Sequence, residues 1–136
     1  MTALQNIQRA TQNYLGSSSG FSAPVTFSTP TDTDSPNYVT PQIVKTINAL
    51  PVKHAYEISG VNNNGLFTRS QTVRVTAVEN ILAGAGFPVR DVNKKCILKD
   101  CLVSYTDING NPVSGVITTI EPDDTVGLIR CQIRIS

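Results

Sequence analysis

Val126-Gly127-Leu128-Ile129-Arg130-Cys131-Gln132-Ile133-Arg134-Ile135 reads as one strand, and from Ile129 onward it alternates without a break. Ile129, Cys131, Ile133 and Ile135 fall on one side and Arg130, Gln132 and Arg134 on the other, a period of two that a β-strand turns into one apolar and one polar face. A helix would scatter both sets around its axis. The aliphatic set therefore marks the core-facing register, and the charged set faces water or an interface.

The same period recurs upstream. Cys96 to Thr106 and Val113 to Glu121 read as further strands, separated by the turn-forming stretches Asp107-Ile108-Asn109-Gly110-Asn111-Pro112 and Pro122-Asp123-Asp124-Thr125, so a meander follows. Thr72 to Val78 sets Val73, Val75 and Ala77 against Arg74 and Thr76, and Val52 to Ile58 alternates as well. Between these two, Asn62-Asn63-Asn64-Gly65 supplies the positive-φ residues of a tight hairpin, which predicts antiparallel pairing of the two strands. Glu79 to Pro88 combines one helical turn with Gly84, Gly86 and Pro88. It reads as a crossover that anchors Ile81, Leu82 and Phe87 in the core.

Towards the N-terminus the composition changes. Ser22 to Pro41 is rich in Ser, Thr, Pro and Asp, with Ala23-Pro24-Val25-Thr26-Phe27 as its strand-like piece. Pro30, Pro36 and Pro41 each remove a ladder donor, so a long polar loop is expected at about 28–41. Leu4, Ile7, Thr11 and Tyr14 recur at helical spacing, and Gly16-Ser17-Ser18-Ser19-Gly20 follows as a tether. A helix that short is marginal alone, so its stripe of Leu4, Ile7 and Tyr14 implies a surface on which it docks. The 136 residues and 14.6 kDa suit one core. The expected architecture is mostly β: a small antiparallel β-barrel or sandwich over residues 21–136, preceded by a helical arm and tether over residues 1–20.

Composition removes several function classes. Lys and Arg number 11 against 10 Asp and Glu, too even a balance for a broad footprint on DNA or an anionic membrane. No apolar run approaches the roughly 20 residues that span a bilayer. The polar start MTALQNIQRATQNYL lacks the apolar centre of a signal peptide, so the chain is expected to be soluble and kept in the cytoplasm. Cys96, Cys101 and Cys131 form an odd set, which fits reduced thiols better than a disulfide framework.

Candidate chemistry is sparse. A nucleophilic cysteine needs a base, and His54 is the one histidine available. All three cysteines fall in runs that read as strand, where buried thiols are inert. A zinc site from His54 and the three thiols lacks a knuckle, because Ile97-Leu98-Lys99-Asp100 reads as strand and an odd offset puts Cys96 and Cys101 on opposite faces. Asp107-Ile108-Asn109-Gly110-Asn111 opens like a calcium loop, but Pro112 stands where glycine is needed and Thr118 where the bidentate glutamate belongs, which leaves a hairpin turn. Glu121, Asp123 and Asp124 read as a solvated turn rather than the paired carboxylates of a hydrolase, since no aromatic platform lies near them. Gly84 and Gly86 lack the Gly-Lys-Ser/Thr ending of a phosphate loop. These residues give no catalytic, cofactor or metal site.

Charge order carries more. Arg69, Arg74, Arg90, Lys94, Lys95 and Lys99 crowd the middle of the chain, and Asp100, Asp107, Glu121, Asp123 and Asp124 follow. Ordinary solvated surface is the plainer reading of this order; the functional one is that, in a ring, a basic edge with Arg90, Lys94 and Lys95 on one subunit meets an acidic edge with Glu121, Asp123 and Asp124 on the next.

The strand Gln71-Thr72-Val73-Arg74-Val75-Thr76 running into Glu79, then Gly86-Phe87-Pro88-Val89-Arg90, then Asp107 with Gly110 in a hairpin, form a pattern. It ends on Glu121-Pro122-Asp123-Asp124-Thr125-Val126-Gly127-Leu128-Ile129, its most specific part. In these residues, from about Val52 to Ile135, the chain resembles the head-tail connector family of tailed phages, the head-completion (stopper) and head-to-tail joining proteins. The resemblance implies a non-enzymatic β-barrel that forms a ring below the portal and closes the DNA channel. Its implied partners are itself, a portal or adaptor protein, tail proteins and passing DNA bound without sequence specificity. No membrane and no cofactor are implied, and the expected location is the virion, after assembly in the host cytoplasm. Met1 to Pro41 match nothing in that family. A tail-completion or tail-terminator subunit is the nearest alternative. A non-viral β binding module is the next, against which the lack of Trp and the 6% aromatic share count.

Overall fold

A computed structural model describes residues 3, 5–7, 9–10, 23–53, 57–61, 67–70 and 72–135, with side chains not described over residues 53–71. Its strands are β1 (Ala23–Ser28), β2 (Val44–Lys53), β3 (Glu57–Val61), β4 (Phe67–Ser70), β5 (Thr72–Val78), β6 (Leu102–Thr106), β7 (Pro112–Asp123) and β8 (Leu128–Ile135). Six of them close into an antiparallel barrel in the order β1-β2-β5-β8-β7-β6, with β6 returning to β1. Closure gives each of these strands two neighbours and so removes the open sheet edges of a sandwich.

Alternation fills the interior. Ile129, Cys131 and Ile133 of β8 are fully buried, and Ile135 packs half-buried against the same core. Val73, Val75 and Ala77 face them across the β5–β8 ladder, and Val25 and Phe27 of β1 enter from the opposite wall. In a barrel of this size such side chains fill the lumen and leave a packed core.

Register sorts the connections to two ends. Ser28, Val44, Val78, Leu102, Asp123 and Leu128 mark one end, where loop 29–43, segment 79–101 and turn 124–127 gather. At the other end lie Ala23, Lys53, Thr72, Ile135 and the 107–111 turn. The short helix Glu79–Gly84 closes the first end. Its N–H at Glu79 donates to the Gly127 carbonyl at 3.0 Å, and Gly86, at φ 96°, stops it: Gly86 N–H donates to Ala83 and Phe87 N–H to Leu82. That is the glycine-terminated helix end in which the residue past the glycine packs back on the last turn. Leu82 and Phe87 are both buried, as expected of crossover anchors, and Phe87 meets Phe27 edge to face at 6.0 Å, while Ile81, the third expected anchor, packs only half-buried against the core.

Three local expectations need correction. The Asn62–Gly65 turn was expected to join strands 52–58 and 72–78 as an antiparallel pair; Val52 and Lys53 of β2 do pair antiparallel with Arg74 and Val73 of β5, but β3 and β4, on either side of that turn, pair with each other and stand between them in the chain. The turn residues 62–66 lie outside the described residues. Barrel closure decides this, because β5 must lie beside the longer β2, and the inner hairpin is left as an excursion. Second, Cys96 to Thr106 is not one strand. Only 102–106 is; Cys96 makes an isolated bridge to Arg90, and Asp100 turns the chain at φ 69° with Cys101 N–H donating to the Leu98 carbonyl. A regular strand points Leu98 and Cys101 to opposite faces, whereas this turn buries both. Third, β7 does not alternate through its length. Between Ile117 and Thr119 the register against β8 slips by one, and the extra residue, Thr118, donates its hydroxyl to the Gln132 carbonyl. The bulge resets the inward set from Gly115 and Ile117 to Ile120, which lies opposite Cys131.

The long loop packs on its own barrel. Asn37 donates to the Lys99 carbonyl at 2.9 Å, Ser35 to Asp100 at 3.2 Å, and the buried Thr29 hydroxyl accepts the Ile43 N–H.

Candidate functional site

The bulge in β7 and the late start of β6 leave a gap at one end of the barrel, filled from outside by two segments. Residues 36–39 of the long loop form one lip and residues 95–99 the other, and β7 from Thr118 to Pro122 forms the wall. Between them runs an open groove of about 880 Å³, with Tyr38, Val39, Ile97 and Ile120 as apolar lining and Lys95 and Lys99 exposed beside it.

Cys96 and Cys101 also border this groove, the first half-buried and the second buried; Cys131 lies in the core. Burial pushes the thiols of Cys101 and Cys131 up to about 12, with Asp100 and Cys96 adding to the first and Cys96 and Cys101 to the second. Cys96 is raised as well, by burial, against a lowering hydrogen bond from the Leu98 backbone. Thiols so protonated are poor nucleophiles at neutral pH. Among the described residues no group of three or more His, Cys, Asp or Glu side chains is placed to hold a metal. His54 lies outside the described residues.

Segment 85–101 is fixed beside the groove by Arg90. Its guanidinium donates to both carboxylate oxygens of Glu79, to Asp124 at 2.8 Å and to the Lys94 carbonyl at 2.9 Å. The Glu79 hydrogen bond, above all, raises its pKa, with Asp124 adding to it against the opposing effect of desolvation. One cation thereby ties together the helix start, the bridge region and turn 124–127.

The expected interface residues are distributed as follows. Arg90 and Asp124, assigned to opposite edges, bond to each other within the chain, with Asp124 still largely exposed. Asp123 accepts from Arg130 at 3.4 Å, and Glu121 lies opposite Arg130 on the neighbouring strand. Lys94 and Lys95 are exposed, Lys95 on the groove. Ile7 is helical and 52% exposed, while Leu4 and Tyr14 lie outside the described residues. Sequence reasoning missed Glu79 as a partner of Arg90 and missed Tyr38, Val39 and Ile120 as one lining. No spacing announces either, since loop, bridge segment and bulged strand meet only through barrel closure.

Among the described residues no helix is long and apolar enough to cross a membrane. No protein-family model matches the chain, and no curated protein matches it.

Proposed function

We propose that this chain is a structural subunit of a tailed-phage virion, one that forms a ring at the head-tail interface below the portal and closes or extends the DNA channel. The reading rests on the resemblance of residues 52–135 to head-completion and joining proteins. The observation that carries it furthest is the form of the barrel: its six strands close on one another, and its elaborations gather at its two ends. Such a body joins neighbours through end surfaces while the β-core stays rigid. Burial raises the thiols of Cys96 and Cys101 and so weakens them as nucleophiles at neutral pH, which favours binding over catalysis.

Removal of the gene from the phage genome tests the reading. The expected outcome is DNA-filled heads without attached tails that lose their DNA, restored by the gene supplied in trans. Normal virions from the deletion strain would reject it, and complete heads beside loose, overlong tails would assign the chain to the tail terminator instead.

A further inference from the structure

Asp91-Val92-Asn93-Lys94-Lys95 and Asp107-Ile108-Asn109-Gly110-Asn111 fold into the same five-residue turn. In each, the aspartate N–H donates to the fifth residue's carbonyl at 2.9 Å, and the fourth residue's N–H returns to the aspartate carbonyl at 3.0 Å. One aspartate oxygen then accepts the N–H groups of the third and fifth residues, all at 2.9 Å. The fourth residue is left-handed in both, Lys94 at φ 63° and Gly110 at φ 83°. With every other position committed to the turn, the second residue is the tip: Val92 is 98% exposed and Ile108 100%. A turn held this way cannot fold its tip back onto the barrel, so each aliphatic side chain remains in water until another surface covers it.

The two tips lie at opposite ends of the barrel. The Ile108 turn joins β6 to β7 at one end; the Val92 turn lies at the other, where Asp91 and Lys95 border the groove. The surfaces are complementary. The Ile108 tip carries an apolar side chain beside the anionic Asp107, and the groove offers an apolar lining with Lys95 and Lys99 exposed beside it. Among the described residues neither lysine is in an ion pair.

We infer that a second copy of this chain seats its Ile108 turn in the groove, with Ile108 against the apolar lining and Asp107 towards Lys95 and Lys99. Because donor and acceptor lie at opposite ends of one molecule, the contact is heterologous, and repeated it closes into a ring or runs on as a filament. The inference deepens the ring proposed above by naming its contact, and it rests on that reading. A contact one turn wide is weak singly and gains strength when a closed ring makes all contacts at once.

Native Cys96 borders the groove and supplies the probe. Full-length protein carrying Ile108→Cys is treated with a short bis-maleimide at pH 8 over a range of concentrations and run on a denaturing gel. The expected result is a ladder of dimers, trimers and higher species, since each copy then carries one donor thiol and one accessible acceptor thiol, Cys101 and Cys131 being buried; Cys96→Ser in the same background reduces it to dimers at most. Ile108→Asp, at a fully exposed tip where folding is not at risk, should weaken self-association in sedimentation roughly tenfold or more. Lys95→Glu combined with Lys99→Glu should do the same. Dimers alone, or a ladder that persists without Cys96, overturns the contact. Rings seen by electron microscopy without the ladder leave the proposed function standing and reject this interface. Wild-type protein that stays monomeric at every concentration rejects the contact, and the virion test above then decides the function separately.

Discussion

Ile133 lies opposite Val73 of β5 and Ile117 of β7, and none of its surface reaches water. An aspartate there would place an unpaired carboxylate among aliphatic groups, so Ile133→Asp should leave no folded protein by circular dichroism. A soluble variant with unchanged melting would refute the register. Gly115 is constrained differently: a Cβ added there would stand 2.4 Å from the Arg134 carbonyl oxygen, a backbone atom that cannot rotate away. Gly115→Ala should therefore cost about 2 kcal/mol or more in urea unfolding, as overpacking does. The buried thiols make a third case. Cys101 and Cys131 are raised from 9.0 to about 12, so the folded state favours the protonated thiol. Their contribution is complete below about pH 9 and is lost as pH rises from there towards 12. The Cys101→Ala, Cys131→Ala double variant should lose about 1 kcal/mol per site at pH 7 through packing. Its melting temperature should then fall less steeply than wild type between pH 8.5 and 11; parallel curves would show that the thiols do not govern alkaline unfolding.

Among the elements, segment 79–101 depends most on polar ties. Arg90 bonds Glu79, Asp124 and the Lys94 carbonyl at once, and its side chain is 25% exposed, against 78% for Asp124. The Glu79 arm therefore carries most of the effect, and the exposed Asp124 arm adds little. Arg90→Gln should destabilise the protein by about 1–3 kcal/mol. Hydrogen exchange should quicken at the helix 79–84 and the 90–96 bridge while β8 keeps its protection. Uniform change across both regions would show that Arg90 supports the whole barrel instead of this cap.

For the whole molecule, the described helical residues near the N-terminus expose Ile7, and the Gly16–Gly20 stretch read from the sequence as a tether lies outside the described residues. If the arm serves assembly, deleting residues 1–20 should leave the barrel's melting temperature unchanged and abolish the joining of particles, scored as infectious titre in complementation. A lower melting temperature would instead make the arm a lid on its own barrel. Full infectivity from the truncated protein would remove both roles.

The alternation at 129–135, the apolar face of 72–78 and the turn chemistry of 107–111 were legible because a period of two and an Asp-Asn-Gly turn are local properties, fixed within a few residues by φ/ψ preference and side-chain placement. The crossover anchors Leu82 and Phe87 were legible for the same reason. Closure was not: whether six such strands make a barrel or a sandwich depends on β6 meeting β1, residues about 75 positions apart that no local pattern links. The bulge at Thr118, the turn at Asp100 and the pairing of Arg90 with Asp124 also belong to the tertiary structure, since each exists to reconcile a chain segment with a neighbour already in place. The groove joins the bulged strand to the long loop and to segment 95–99, which is why its lining could be found only in the folded molecule.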